Sequence, residues 1–406
     1  MLLLFSCSGP AIDNRYTVPA YEGLETKFQE IEDSDKIKAE QIVIDGRGGF
    51  PIDHFFKKID YIKLETTDNN LIGEISQIVF TDNRIIVVDN EKAKSVFVFD
   101  MNGNYQFQVG RMGNGPGEYV SIKNVLFVPE KHQILIHDGP KKTVHHYLSM
   151  TGKYLYSERL PFDNWDFVYL ESGNIAYRVH GMISPVTGKF RTNGLTVTDS
   201  ENKVLYDAFT DLYNGRRFKW TMHHPLRKML NTVFFSPNFS NIIYEVQDSM
   251  SIPKYYINID KKYGMPLLNK NITGKRFEEY LQHHICFHGD FIELEDLTYL
   301  NISNPSGNPF SVYSHKKKET FMTTGKGQHH FYEFLLHKSP LSGYKDNTVV
   351  MGIDSYVLLG WKDAFYENEE KLYKNERYKD VLDDLYSELM DDSNPVLFFC
   401  RLNPDI

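Results

Sequence analysis

A chain of 406 residues, 41% hydrophobic and 24% charged, has the make-up of a soluble globular protein and room for one large domain or two ordinary ones. Its formal net charge of −9, with no basic run longer than Lys316-Lys317-Lys318, argues against a polyanionic partner and therefore against nucleic acid. Aromatic residues reach 14%, with 26 Tyr and 28 Phe, a bias that suits strands because flat rings pack well on pleated sheets.

The first seven residues, Met1-Leu2-Leu3-Leu4-Phe5-Ser6-Cys7, are too few to span a bilayer, which needs about 20 apolar residues. An apolar core, a small residue and then cysteine form the tail of a secretory signal. The segment resembles the lipobox of bacterial lipoproteins, with Leu4, Ser6 and Cys7 in the matching places. That resemblance implies that 1–7 is a remnant signal peptide with its lipobox, cut just before the cysteine, with a lipid on Cys7 and a membrane-anchored chain. Residues 8–53 are polar, carry the loop-like Gly46-Arg47-Gly48-Gly49, and read as a tether with one short strand at Ala39–Ile44.

From residue 54 to residue 406 short β-rich runs alternate with turn residues, an all-β pattern. Two units repeat. Arg84–Asp89, Ser95–Phe99 and Asn102-Gly103-Asn104-Tyr105 return about 49 residues later as Gln133–Asp138, Thr143–Tyr147 and Thr151-Gly152-Lys153-Tyr154. Asp89 aligns with Asp138, Gly103 with Gly152 and Tyr105 with Tyr154. With Ile75–Phe80 and Val125–Val128 each unit has four strands, which is what a propeller blade requires. One such sheet cannot shield both faces, but blades stacked in a ring cover one another. Asp89 and Asp138 close a strand where a carboxylate accepts backbone N–H groups of the next turn.

Further units follow at Trp165–Val179 with Gly194–Asp199 and Lys203–Tyr206, at Asn241–Val246 with Pro253–Ile259, and at Phe291–Ile302 with Phe310–Thr323. Arg276–His283 reads as a short amphipathic helix, and Leu372, Tyr378, Leu382, Leu385 and Leu389 set a second helix over Glu367–Met390. A last strand, Val396–Leu402, lacks a sheet of its own and finds one if Ile59–Leu64 joins it in a final blade. The expected fold is a six-bladed β-propeller closed by N- and C-terminal strands, with a few inserted helices.

Gly110-Arg111-Met112-Gly113-Asn114-Gly115-Pro116-Gly117-Glu118-Tyr119 resembles the glycine-rich connector of NHL-type propellers. With Tyr61–Thr66, Leu71-Ile72-Gly73, Asn241–Val246 and Asn394–Leu397 in order, the span Ile59–Leu402 is similar to the six-bladed β-propeller lipoproteins of Bacteroidota. That resemblance implies six blades and an exported lipoprotein; it brings no agreed activity and no catalytic residue. Ser8-Gly9-Pro10-Ala11 lacks the acidic run linked to surface export in these bacteria, which favours the periplasmic side of the envelope.

The chain offers little local chemistry. The connector lacks Gly-Lys-Ser/Thr and a following helix, so it reads as a turn and not a phosphate cradle. The pairs His145-His146, His223-His224, His283-His284 and His329-His330 alternate faces on a strand, so each offers one inward ligand at most and no metal is expected. No Gly-x-Ser-x-Gly elbow occurs, and the carboxylate pairs Glu293/Glu295 and Asp383/Asp384 read as solvated faces. Cys286 and Cys400 read as buried thiols or a possible pair, with no disulfide predicted. No cofactor is expected.

What remains is a binding surface for a glycan, peptide or envelope protein. The basic, aromatic and histidine run Arg216–His224, with Arg217, Trp220, His223 and His224, is its main candidate; Arg178 and His180 are weaker ones. The alternative is an envelope enzyme, a glycan hydrolase or lyase, acting at the channel mouth.

Overall fold

Runs rich in Val, Ile, Phe and Tyr, cut by Gly, Asn and Asp, pair into six antiparallel four-stranded sheets arranged as a six-bladed β-propeller. The computed structural model describes residues 27–45, 49–161, 164–179, 182–184, 190–191, 194–209, 225–237, 240–262, 264, 279, 282–303, 305, 310–323, 341–372 and 383–406. The chain opens with β1 (Lys27–Gln29), α1 (Asp33–Lys38), β2 (Glu40–Ile44) and β3 (Phe56–Lys63). Blade 1 follows as β4 (Gln77–Phe80), β5 (Arg84–Asp89), β6 (Ser95–Asp100) and β7 (Tyr105–Gln108). After β8 (Arg111–Met112) and β9 (Glu118–Tyr119), blade 2 is β10 (Asn124–Val128), β11 (Gln133–Asp138), β12 (Thr143–Leu148) and β13 (Tyr154–Arg159).

Blade 3 is β14 (Asn164–Tyr169), β15 (Ile175–Val179), β18 (Gly194–Thr198) and β19 (Val204–Ala208), with a hairpin of β16 (Met182–Ile183) and β17 (Phe190–Arg191) inserted. Blade 4 is β20 (Leu226–Met229), β21 (Thr232–Phe235), β22 (Ile242–Val246) and β23 (Ser251–Ile259). Blade 5 is β24 (Cys286–Glu293), β25 (Leu297–Ser303), β26 (Ser311–Ser314) and β27 (Glu319–Met322). Blade 6 takes β28 (Leu341–Tyr344), β29 (Thr348–Ile353) and β30 (Val396–Leu402) from the C-terminal part of the chain and β3 from its N-terminal part.

That last blade closes the ring as the sequence leads one to expect. β30 has β29 on one side and β3 on the other, with Tyr61 opposite Phe398 and Lys63 opposite Val396. The core lies between blades. Val88, Val96 and Val98 of blade 1 meet Ile134, Ile136 and Tyr147 of blade 2, and Leu135 and Val144 of blade 2 meet Phe167, Tyr177 and Val179 of blade 3. β5 is buried over nearly its whole length because both of its faces have a neighbour.

The repeated glycines have a packing reason. Gly103 sits at φ +87°, and a Cβ there would stand 2.2 Å from the Lys63 carbonyl oxygen of the preceding blade. Gly152, at φ +67°, meets Phe107 of blade 1 in the same way. Each hairpin of the outer strand pair abuts the blade before it, so a side chain at that turn is excluded.

Three expectations need correction. Within 8–53, read as a tether, residues 27–44 are a belt laid on the propeller: β1 pairs in parallel with β19 and β2 in parallel with β23. Ile42 and Ile44 are fully buried there, and that apolar burial outweighs solvation of a loose segment. The helix expected over 367–390 begins at Ser355 and runs to Leu372 as α2, with Leu358 and Phe365 facing the core; residues 373–382 lie outside the described ones. Glu293 is not on a solvated face, since it is buried and accepts hydrogen bonds from Tyr255 Oη at 2.7 Å and Thr298 Oγ1 at 2.7 Å. Asp383 and Asp384 are exposed as expected, and Asp384 accepts a hydrogen bond from Tyr61 Oη of β3.

Cys286 and Cys400 are free and buried in different blades, and burial pushes the Cys286 thiol up to about 12. Most of the helix expected at Arg276–His283 lies outside the described residues.

Candidate functional site

The order of strands gives the propeller two unlike ends. Turns between the first and second, and the third and fourth, strands of each blade fall at one end and span two to five residues, as at 81–83, 129–132, 170–174 and 230–231. Turns between second and third strands, and the passages from blade to blade, fall at the other. There blades 1 and 2 use the short turns 90–94 and 139–142. Blades 3 to 6 leave from this same end at 180–193, 209–225, 260–285, 304–310, 323–340 and 354–395. The described ends of these longer connections after blade 2 therefore attach at this mouth end.

At the mouth the innermost strand of each blade contributes a polar residue, near the strand start for Gln77, Asn124, Asp166, Arg227 and Ser342 and at the bulge of β24 for Asp290. Neighbouring blades bond through them. Gln77 Nε2 donates to Asn124 Oδ1 at 3.0 Å and to the Val125 carbonyl at 2.9 Å. Asn124 Nδ2 donates to Asp166 Oδ1, which also accepts the Phe167 N–H at 3.0 Å. Arg227 donates to the Phe291 carbonyl at 3.2 Å and to Asp290 Oδ1 at 3.4 Å, and Ser342 Oγ donates to the Ile78 carbonyl at 3.1 Å. Polar side chains stand here because strand starts at the axis face other strand starts and have no apolar layer to enter.

Arg178 belongs to this region. It is only 2% exposed and lies directly across the β14–β15 ladder from Asp166, which is 5% exposed. Residues directly opposite on an antiparallel ladder share one face of the sheet, so two groups of opposite charge stand on the same face of blade 3 here. His180, Arg217, Trp220, His223 and His224 lie outside the described residues, as does Cys7. The ring residues escaped sequence reading because each comes from a different unit. The available signal was a lone polar residue opening an apolar strand, as in Gln77-Ile78-Val79-Phe80 and Asn124-Val125-Leu126-Phe127.

Asp89 and Asp138 are structural, as their turn positions imply. Asp89 is fully buried and accepts four backbone N–H groups, from Gly73 (2.7 Å), Glu74 (2.9 Å), Glu91 (3.2 Å) and Lys92 (2.8 Å). One carboxylate thus ties the passage into blade 1 to the next turn. Asp138 accepts Val120 N–H at 2.8 Å and faces His145 Nε2 at 3.7 Å and Lys141 Nζ at 3.8 Å. Burial opposes its ionisation, yet His145, the Val120 N–H and the Lys141 charge hold its carboxyl below the usual range.

The adjacent histidines do alternate faces: His145 Nδ1 lies 2.7 Å from Ser157 Oγ, whereas His146 Nε2 lies 3.1 Å from Glu158 Oε1 on the other side. Among the described residues no group of three or more His, Cys, Asp or Glu could hold a metal ion.

The glycine-rich connector fills itself. Glu118 Oε2 accepts Gly115 N–H at 2.8 Å and Oε1 accepts Arg111 Nε–H at 2.7 Å, while β8 and β9 pair in parallel beneath. The amides that could cradle a phosphate already hold a carboxylate.

A family model described as "Domain of unknown function (DUF4934)" matches residues 39–401. No curated protein matches. A Bacteroides fragilis protein inferred to be exported has a crystal structure that is similar to this fold, with 19% identity and a TM-score of 0.71, over 90% of this chain and 99% of that one. A member of another family of unknown function (DUF4221) from Bacteroides vulgatus aligns with 10% identity and a TM-score of 0.50, over 86% of this chain and 97% of that one. At these identities the likeness is one of fold.

Proposed function

This chain belongs to the DUF4934 family, and from that premise we propose that it is an exported binding propeller that engages a glycan, peptide or envelope protein at its mouth end. The observation that carries this reading is that the described strand ends flanking every long connection after blade 2 lie at the end where the inner strands present their polar ring. Propeller loops gathered at one end of an axis form a concave surface with convergent polar groups, the usual setting of a binding site. The fold alone does not select a ligand.

In this reading Arg217, Trp220, His223 and His224 of the passage between blades 3 and 4 supply stacking and hydrogen-bonding contacts over the ring, and Arg178 and Asp166 fix its charge. The aromatic ring would pack on an apolar sugar or side-chain face while the cations bond its polar groups. The lipid on Cys7 would hold the propeller to the membrane, with the periplasmic side favoured. The inferred export of the similar Bacteroides fragilis protein supports an envelope or secreted location.

Glycan and peptide arrays probed with the full chain test the reading. Trp220→Ala and Arg217→Ala should each weaken any captured ligand by about tenfold or more, whereas Lys203→Ala at the opposite end should not. Ligands lost only with the opposite-end change would refute it, and turnover of a captured glycan would replace it with the hydrolase or lyase alternative. Incorporation of labelled palmitate that persists in Cys7→Ser would remove the anchor.

A further inference from the structure

Blades 3 and 4 each carry a fifth strand at their outer edge. β1 lies in parallel on β19, with Lys27 opposite Tyr206, and β2 lies in parallel on β23, with Glu40 opposite Tyr255. The outer strand of blade 2, β13, occupies the same place in its sheet, yet among the described strands it pairs with β12 alone. Its residues Tyr156, Ser157, Glu158 and Arg159 are exposed. An open strand edge offers a row of backbone N–H and C=O groups to any extended chain laid beside it.

A cleft of about 350 Å³ lies between blades 2 and 3 with β13 as one wall. Glu158 and Arg159 come from that strand, and Phe167, Tyr169 and Tyr177 of blade 3 line the other side. Lys131 Nζ stands 5.2 Å from the centroid of the Tyr169 ring. The volume is at the lower end of the ~300–1,000 Å³ of small-ligand sites, which is room for one bulky side chain and not for an oligosaccharide. Acidic Glu158 is offset at the rim by Lys131 and Arg159, so strongly charged ligands gain little.

We propose that β13 docks an extended peptide in parallel, as β19 dock β1 and β23 dock β2 within the chain, and that a Trp or Tyr side chain of that peptide enters the cleft. In strand addition the backbone bonds supply affinity and the side-chain pocket supplies selectivity. Rings as guests gain edge-to-face contact with Phe167, Tyr169 and Tyr177 beyond simple burial. This site is at the rim of blade 2, separate from the mouth.

The test uses the full chain as Cys7→Ser with acetylated decapeptides of alternating Thr and Gln that carry one central Trp, Tyr or Ala. Trp and Tyr peptides should bind about tenfold or more tightly than the Ala peptide, and N-methylation of alternate peptide amides should remove that binding. Tyr169→Ala should bring the Trp peptide down to the level of the Ala peptide, and Asp82→Ala in an exposed turn of blade 1 should leave it unchanged. Outward amides of β13 should exchange quickly in the free chain and slow when the Trp peptide is added.

Failure of every aromatic peptide to bind, equal binding of Trp and Ala peptides, or indifference to N-methylation would overturn the proposal. So would slow exchange along β13 before any peptide is added, because the chain's own residues would then cover the edge. The peptide and exchange arms leave the protein unaltered, so they decide the matter even if Tyr169→Ala does not fold.

Discussion

Blades 1 and 2 carry a buried aspartate staple at the mouth, whereas blades 3 to 5 are bound at the rim by the N-terminal segment. In the first pair the second strand ends in Asp89 or Asp138, a buried carboxylate that reaches two connections at once. In the others the second strand ends in Val179, Phe235, Ser303 and Ile353, and no such staple is present at those positions. Of these, blades 3 to 5 are bound by the N-terminal segment. Gln29 bonds the backbone of Ser251, Asp35 accepts Tyr244 Oη at 2.9 Å, Glu40 accepts Tyr313 Oη, and the Gly49 and Phe50 amides donate to the Met322 carbonyl. A single carboxylate can span only short turns. Where the mouth connections lengthen, order has to come from elsewhere, and here the N-terminal belt supplies it from outside the ring.

The largest break in this arrangement should come from the blade that both chain ends build. Phe398 is fully buried opposite Tyr61, and Phe398→Ala should cost about 3–5 kcal/mol in denaturant unfolding, because it opens a cavity in the closing strand. Next is the belt: Ile42→Ala should cost about 2–5 kcal/mol, with faster amide exchange along β23 and little change in blades 1 and 2. Equal loosening of blade 1 would contradict the division drawn here.

At the mouth, Asp138→Asn should cost about 1–3 kcal/mol, since a buried charge-assisted acceptor is lost, and should speed exchange at the Val120 amide. The same variant tests pH dependence. The folded Asp138 carboxyl titrates below its unbound value of 3.8, so its stabilising effect is present above that value and lost as pH falls through the folded one. Asp138→Asn should therefore flatten that part of the acid unfolding curve. The smallest effect belongs to Glu158, whose carboxyl is held below the usual range by His146 3.1 Å away but whose side chain is 46% exposed. Glu158→Gln should cost under about 1 kcal/mol in thermal unfolding.

The same division explains what could be read in advance. Blades 1 and 2 announce themselves because the staple and the hairpin glycine both demand particular residue types at a fixed offset: Asp89 and Asp138, Gly103 and Gly152. Blades 3 to 6 have neither demand at the same places, so their repeat is blurred and the first two strands of blade 4, β20 and β21, went unrecognised. The closure was legible for a different reason. An apolar strand after the last unit has nowhere to bury itself except against an equally unpaired strand near the beginning.

Of the belt only the strand at Ala39–Ile44 was legible, observed as β2 over Glu40–Ile44, and the polar ring was not. Lys27-Phe28-Gln29 is three residues long with no period to detect, and a parallel partner some 180 residues away leaves no mark on local sequence. Gln77, Asn124, Asp166, Arg227, Asp290 and Ser342 are unremarkable singly and meaningful only once six strand starts converge on an axis.

The sequence by itself determined the blade unit, the ring closure and the places where glycine and aspartate must stand, because these follow from local turn geometry and from strands that cannot shield their own faces. Only the tertiary structure decided which polar residues meet at the mouth, which outer edges the N-terminal segment covers and which, β13 among them, it leaves open. Those outcomes depend on contacts between segments far apart in the chain, where distance in space, and not order in sequence, sets the chemistry.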